Sequence, residues 1–531
     1  MSDRSIDIAV VVFYLVGITL YGLWIGRKAS TSKEDYYLGG RSFNWVLIGF
    51  SLFATNISIG AFIGGSGLAF KAGFAAIIPE INGGLMLVVS AIIFMPLFLR
   101  SKIFTIPQFL ELRFNTTAKI LFSGLFVCQN ILLMPLGLYT GALAALGLFG
   151  WDINPTNITL AALSIACTVG LYATMGGLRS VVVTDVVQVV IMLVGGLTVA
   201  IVGVIKVGGF GALHQSAGPE MFEMLRPRGD PYFPWDAAFP GQMMHAAFYA
   251  FCNIALLQRA LGAKDIDQAR KGMLFGAFLK LGGILLFTIP GLVALTLYPQ
   301  AAPDTTYAMM VRDFLPVGVS GLVLAGLLAA MMSSQDSSIN AIAGLFALDI
   351  WPLVRPNASE REAVMVGKTF SATNLAWGVF AAPFFLTLDQ GIYTIVLKVT
   401  GFMILPTGVC YIWGRFSQRV NGVGAVGVLL SGLVLGITYI AFSTLPSLRP
   451  HLPEIIANAH FYHIYPVFFI IFTVVLYGLS AMTAAPLPEK LECIRAAAEP
   501  VQTGPAPVWY RSFKFWFAIY LACFIAVWVI F

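Results

Sequence analysis

The chain has 531 residues, 58% of them hydrophobic and 11% charged, with a mean hydropathy of +0.86. Water-soluble proteins carry about 25% charged residues, whereas apolar runs of about 20 residues recur along this whole chain, the pattern of a protein that crosses a membrane many times. Soluble enzymes and nucleic-acid-binding proteins are thereby excluded, and the net charge of +6 calls for a topological reading rather than an acidic partner.

Fourteen helical spans are predicted, at about 7–25, 43–70, 74–99, 120–148, 157–175, 181–205, 240–258, 273–298, 316–350, 369–388, 391–414, 422–444, 464–484 and 515–531. The ninth run is too long for one straight crossing and is expected to kink or to emerge into water. No cleavable leader is read, because Arg4 is offset by Asp3 and Asp7 and the first apolar run continues as a full span. Connections following the odd-numbered spans hold 22 of the 31 Lys and Arg, Arg259 among them, and the opposite side holds seven. The positive-inside rule makes the richer side cytoplasmic and puts both termini outside, in a multi-pass protein of the plasma (inner) membrane. The external connection 206–239 reads as a structured loop, and 485–514 as a cytoplasmic linker to the last helix. Cys128, Cys167, Cys252, Cys410, Cys493 and Cys523 show no metal-site or CxxC spacing and read as packing residues rather than disulfides.

No GxxxxGK[ST] loop, GxSxG elbow or HExxH pair occurs, so neither an ATP-driven pump nor a hydrolase is indicated. Of five His only His245 lies in a span, which argues against a multi-His metal site. What remains are polar residues at membrane depth, costly unless they face a cavity. In span 2, Gly60, Gly64, Gly65 and Gly67 cluster beside Thr55, Asn56, Ser58 and Ser66. That composition suits an unwound helix whose freed carbonyls coordinate a hard cation; the Gly60/Gly64 spacing also suits close helix packing. Glu80 in span 3 and Lys398 in span 11 lie near outer ends, and Lys280 in span 8 is placed to snorkel or to serve a site. Asp185 begins span 6, where it serves a cation or complements the helix dipole and pairs with Arg179. In span 9, Ser333, Asp336, Ser337 and Asn340 share one helical face, an arrangement for cation ligation or proton transfer.

Asp35-Tyr36-Tyr37-Leu38-Gly39-Gly40-Arg41-Ser42, Gly176-Gly177-Leu178 with Thr184-Asp185-Val186-Val187-Gln188, Gln258-Arg259-Ala260-Leu261-Gly262-Ala263-Lys264 and Ser333-Ser334 resemble, in order and spacing, the motifs of the solute:sodium symporter family. The resemblance covers nearly the whole chain, and the span count resembles the sugar-transporting branch. It implies an all-α polytopic protein with a leucine-transporter-like core of two inverted five-span repeats, 43–205 (spans 2–6) and 240–414 (spans 7–11). Around these lie 1–42, the loop 206–239, accessory spans 12–13 in 415–484, and 485–531. It also implies a sodium site made by the carbonyls of Ala54, Ile57 and Ala330 with the hydroxyls of Ser333 and Ser334. A second cation position maps to Asp185, Ser333, Asp336 and Ser337, with Asp336 standing where related proteins carry serine. Asn56, Glu80 and Lys280 resemble the branch's hydroxyl-binding residues, and Tyr249 its inner gate. Ala61, Gly83, Ala246 and Leu397 replace polar contacts of that branch, which implies either a smaller or less hydroxylated solute or polar contacts supplied instead by His245, Asn253 or Asn82. The implied activity is sodium-coupled import of a small polar solute, a sugar or polyol, by alternating access. The alternative cargo is an organic acid, amino acid or other metabolite, with a proton in place of one sodium. The expected partners are the solute, sodium and the lipid bilayer, with no enzyme activity, organic cofactor, nucleic acid or protein partner.

Overall fold

The computed structural model describes residues 5–27, 32–387, 392–444, 447–451, 460–498 and 508–531. Asp3 and Arg4, and the side chains of Leu397 and Lys398, lie outside the described residues. The described chain is helical and forms no strand. Ten helices among the described residues are long and apolar enough to cross a membrane. The predicted spans fall on helical chain, with spans 5 and 6 sharing the run Pro155–Val207 and span 3 divided among Gly73–Ile77, Ile78–Ile93 and Met95–Arg100. Their outward faces remain apolar: Phe13 is 82% exposed and Trp24 60%. A soluble monomer rarely presents such surface on every side, whereas a bilayer solvates it. Side chains of Asn44, Asn115, Asn154, Asp265 and Ser359 accept the first free amides of the helices they precede.

Four departures from regular helix shape the interior. Span 2 is two helices, Trp45–Asn56 and Ile59–Ala72, separated by Ile57 (φ −89°, ψ 93°) and Ser58 (φ −85°, ψ 169°). Span 7 is likewise two, Met243–Cys252 and Ile254–Leu261, separated by Asn253 (φ −67°, ψ 114°). This second break was not among the sequence expectations, and no glycine accompanies it. The two interruptions stand at the head of the two five-span segments read from the sequence. Spans 5 and 6 join as Pro155–Val207, interrupted at Gly177 (φ 59°, ψ −165°) against the Tyr36 carbonyl, a backbone conformation open only to glycine. Span 9 is Val319–Leu345, followed by a widened π-type turn at Phe346–Ile350 and a short helix Trp351–Val354.

Span 9 is central. It packs against spans 1, 2, 4, 6 and 10, and its amino end is capped from another helix: Asp7 Oδ1 accepts from Gly318 N at 2.7 Å and Gly321 N at 2.8 Å. The connection 206–239 is structured, with a helix Phe210–Ala217 and an Arg226–Asp230 ion pair at 3.2 Å. The linker before the last helix carries its own helix, Glu489–Ala498.

Candidate transport site

The break in span 2 frees the groups needed to hold a cation. Ile57 N still bonds Phe53 O at 2.9 Å, but the next amides across the interruption turn to Ser58: Ala61 N and Phe62 N donate to its carbonyl at 2.9 and 3.4 Å. The carbonyls at the end of Trp45–Asn56 thus lose the amide partners a continuous helix supplies. Span 9 lies against this opening. Ser334 Oγ donates to Ala330 O at 3.1 Å and sits 3.5 Å from Thr55 O, while Thr55 Oγ1 and Ser337 Oγ are 3.0 Å apart. The structure therefore brings Ser334 and the Ala330 carbonyl against the Thr55 carbonyl at the span-2 break, in the same stretch of chain as Ala54 and Ile57. Ser333 gives its proton to Asp185 Oδ1 at 2.6 Å, which leaves its oxygen lone pairs available to a cation.

Asp185 is fully buried. Its partners are Ser51, Ser333 and Arg259, the last at 3.8 Å, and not Arg179. Asp336, also fully buried, accepts from Tyr172 Oη at 2.6 Å and Ser337 Oγ at 3.2 Å. Arg259 is not a loop charge, as its place in the sequence suggested. Its side chain is enclosed, donating to Ser51 Oγ from Nε at 3.1 Å and to Ser337 Oγ and the Ala255 carbonyl from its terminal nitrogens. Among the described residues no group of three or more His, Cys, Asp or Glu has metal-site geometry.

Beside the broken helices lies a cavity of about 270 Å³. Lys280 does not snorkel. It is buried, and its ammonium donates to Asn56 Oδ1 and Glu80 Oε2 in the cavity wall, so Glu80 faces this interior and not the outer surface. Tyr249, His245 and Asn253 also line the cavity. Asn253 commits its Oδ1 to capping Ile254–Leu261, accepting from Leu256 N at 2.9 Å. His245 packs against the rings of Tyr249, Tyr462 and Tyr465 at 6.3, 5.9 and 5.5 Å, with no hydrogen-bond partner at Nε2 among the described residues. Asn82 is absent from the wall: it turns to Gln242, donating to Oε1 at 2.7 Å, and it is Gln242 that reaches the cavity.

A profile of the sodium:solute symporter family matches residues 36–436. The chain belongs to the sodium:solute symporter family. The sodium/glucose cotransporter 4 of Danio rerio is 30% identical over 534 residues, covering 92% of this chain and 80% of that protein. The sodium/myo-inositol cotransporter of Homo sapiens is 29% identical over 478 residues, covering 81% of this chain and 66% of that protein. Among solved structures, a substrate-bound, outward-open Na+-coupled sialic acid symporter superposes with a TM-score of 0.77 at 22% identity, covering 90% of this chain and 98% of that one. A nucleobase-cation-symport-1 family transporter gives 0.55 at 13% identity, with 88% and 98% covered. These structural likenesses speak for the fold.

As a member of a cotransporter family, the symporter is not an enzyme, and its polar interior is read as a transport site. Its wall holds residues that sequence reasoning passed over. Gln129 and Asn130 of span 4, Gln335 and Ser338 of span 9, and Thr400 of span 11 all line the cavity. The signal was available for the first two, adjacent amides inside an apolar run, yet a lone amide in a span is indistinguishable from a helix–helix contact until the neighbouring helix is known.

Proposed function

We propose that this symporter sits in the plasma (inner) membrane and couples inward sodium flow to uptake of a small neutral polyhydroxylated solute, a sugar or a polyol. The observation that carries the cargo assignment is the pairing of Lys280 with Glu80 and Asn56. Among the described residues lining the cavity, Lys280 is the only cation and Glu80 the only carboxylate. The wall thus offers hydrogen-bonding groups without an unopposed charge, which favours hydroxyls over the carboxylate of an organic acid or amino acid. A volume of about 270 Å³ falls below the usual range for drug-sized ligands, in keeping with a monosaccharide or cyclitol. The relatives named for glucose and myo-inositol support the same class.

In this reading sodium binds between the span-2 break and span 9, held by the carbonyls of Ala54, Ile57 and Ala330 and the hydroxyls of Ser333 and Ser334. Asn56 lies between Ala54 and Ile57, so ion and solute grip the same short stretch of chain. Sodium fixes the break in the shape that presents Asn56 to the cavity, and the segments 43–205 and 240–414 rock about the site to expose it to each side in turn. Differential affinity of the two states for both cargoes supplies the coupling.

The test is uptake into proteoliposomes of labelled glucose and myo-inositol, driven by a sodium gradient or by a pH gradient alone, with sialate and simple organic acids as competitors. Sodium-driven uptake of a sugar or cyclitol, insensitive to the acids, is expected. Uptake of an organic anion on a pH gradient without sodium would replace this reading.

A further inference from the structure

The cavity is bounded by polar walls on two different helix pairs. Spans 3 and 8 pack together and supply Glu80 and Lys280, with Asn56 of broken span 2 beside them. Spans 4 and 9 also pack together, and they present a second wall. Met331, Ser334, Gln335 and Ser338 line the cavity from span 9 at i, i+3, i+4 and i+7, which is one face of a helix. Gln129, Asn130, Leu133, Gly137 and Thr140 line it from a single stripe of span 4. None of these residues is charged.

Gln335 is the centre of that wall. It is 7% exposed, and its Oε1 has no hydrogen-bond partner among the described residues. Its amide lies across Gly137, where a Cβ would meet Gln335 Nε2 at 1.7 Å, so the missing side chain on span 4 makes the room for it. Gln129 and Asn130 are as enclosed, at 5% and 7% exposure. An amide that merely ties two membrane helices together finds its partner on the facing helix. An enclosed carbonyl oxygen without a partner is costly, and a bound group that donates to it removes the cost. Each carboxamide offers both donor and acceptor, the combination a hydroxyl group matches. Ala61, Gly83 and Ala246 meanwhile border the same cavity without a polar side chain, so hydrogen-bonding capacity is concentrated on the two walls.

We infer that spans 4 and 9 form a second solute subsite, in which the Gln335 carboxamide, together with Gln129 and Asn130, binds solute hydroxyls that Lys280, Glu80 and Asn56 do not reach. The inference rests on the sugar or polyol reading above and deepens it by describing the cargo. A solute held by both walls carries hydroxyls on two sides, as an evenly hydroxylated pyranose or cyclitol does, and one that is polar at a single end leaves the second wall unsatisfied.

The test is competition by singly deoxygenated sugars and inositols against uptake of labelled glucose or myo-inositol into proteoliposomes at saturating sodium. In the unaltered protein, removing a hydroxyl read by either wall should weaken competition about tenfold. Gln335→Leu should weaken binding of the parent solute by about the same factor, abolish the penalty at one or two hydroxyl positions and preserve it at the others. A packing role would change parent and analogues alike, so an equal change across the panel, or none, overturns the inference. Should Gln335→Leu fail to fold, Gly137→Ala displaces the same flexible amide without removing it, and Asn130→Leu probes the span-4 side. A position-selective loss of discrimination in either supports the subsite, and an unaltered or uniformly weakened panel in both overturns it. Transport indifferent to every sugar and inositol would instead remove the cargo reading on which the inference stands.

Discussion

Ser334 lies where two helices meet, its hydroxyl within 3.1 Å of the Ala330 carbonyl and 3.5 Å of the Thr55 carbonyl. If it is a sodium ligand, Ser334→Ala removes one oxygen of five while leaving the Ser333–Asp185 link intact. A hydrogen-bond-strength contact to a charged group is worth about 1.5–3 kcal/mol, so the half-saturating sodium concentration should rise about 10- to 100-fold with the solute affinity at saturating sodium nearly unchanged. Sodium titration of solute uptake measures this, and an unaltered sodium dependence would take Ser334 out of the site. Residues such as Asn56, Glu80 and Lys280 are conspicuous in the sequence because each is polar within an apolar run. Their joint role is not, because Lys280 follows Glu80 by some two hundred positions and its reach could equally have led to the membrane surface.

At the scale of elements, the span-2 break was legible because glycines and small polar residues crowd it. The span-7 break was not. Cys252-Asn253-Ile254 contains no glycine, and only the Asn253 side chain capping the following helix explains how the interruption is stabilised. The contact between the 206–239 connection and the segment before span 13 offers a test of a different joint. His460 receives Tyr462 N on Nδ1 at 3.3 Å and its Nε2 lies 3.2 Å from the Tyr232 carbonyl, so a neutral ring with the proton on Nε2 satisfies both. Burial, helped by nearby His463 and opposed by the Tyr232 carbonyl, Asp230 and Asp236, pushes its pKa down to about 4. The neutral form is the one this joint favours. Its contribution is therefore complete above the ordinary histidine pKa of about 6.5 and is lost as pH falls from there through the folded value. The protection factor of the Tyr462 amide, its exchange relative to the intrinsic rate at the same pH, should fall on acidification from pH 7 to pH 5, and His460→Gln should abolish that fall.

For the whole molecule, coupling to sodium has an electrical consequence. Each net charge carried inward is worth about 2.3 kcal/mol per 100 mV. For each uncompensated sodium carried with a neutral solute, imposing 100 mV, inside negative, on proteoliposomes should raise the final solute accumulation by roughly fifty-fold. Valinomycin-imposed potassium potentials provide the measurement, and an accumulation indifferent to potential would exclude an uncompensated sodium. The sequence by itself determined that this is a membrane protein of many helical crossings: apolar length, the scarcity of charge and the placement of turns are local properties that a bilayer reads directly. Its motifs also pointed to the family and to the helix that must open. Only the tertiary structure decided what faces what. It closed Lys280 onto Glu80 and Asn56, tied Ser333 to Asp185, and brought Arg259 from an apparent loop into the buried acids. Such pairings join residues distant in the chain, and their energies depend on distance and dielectric, which no linear pattern specifies.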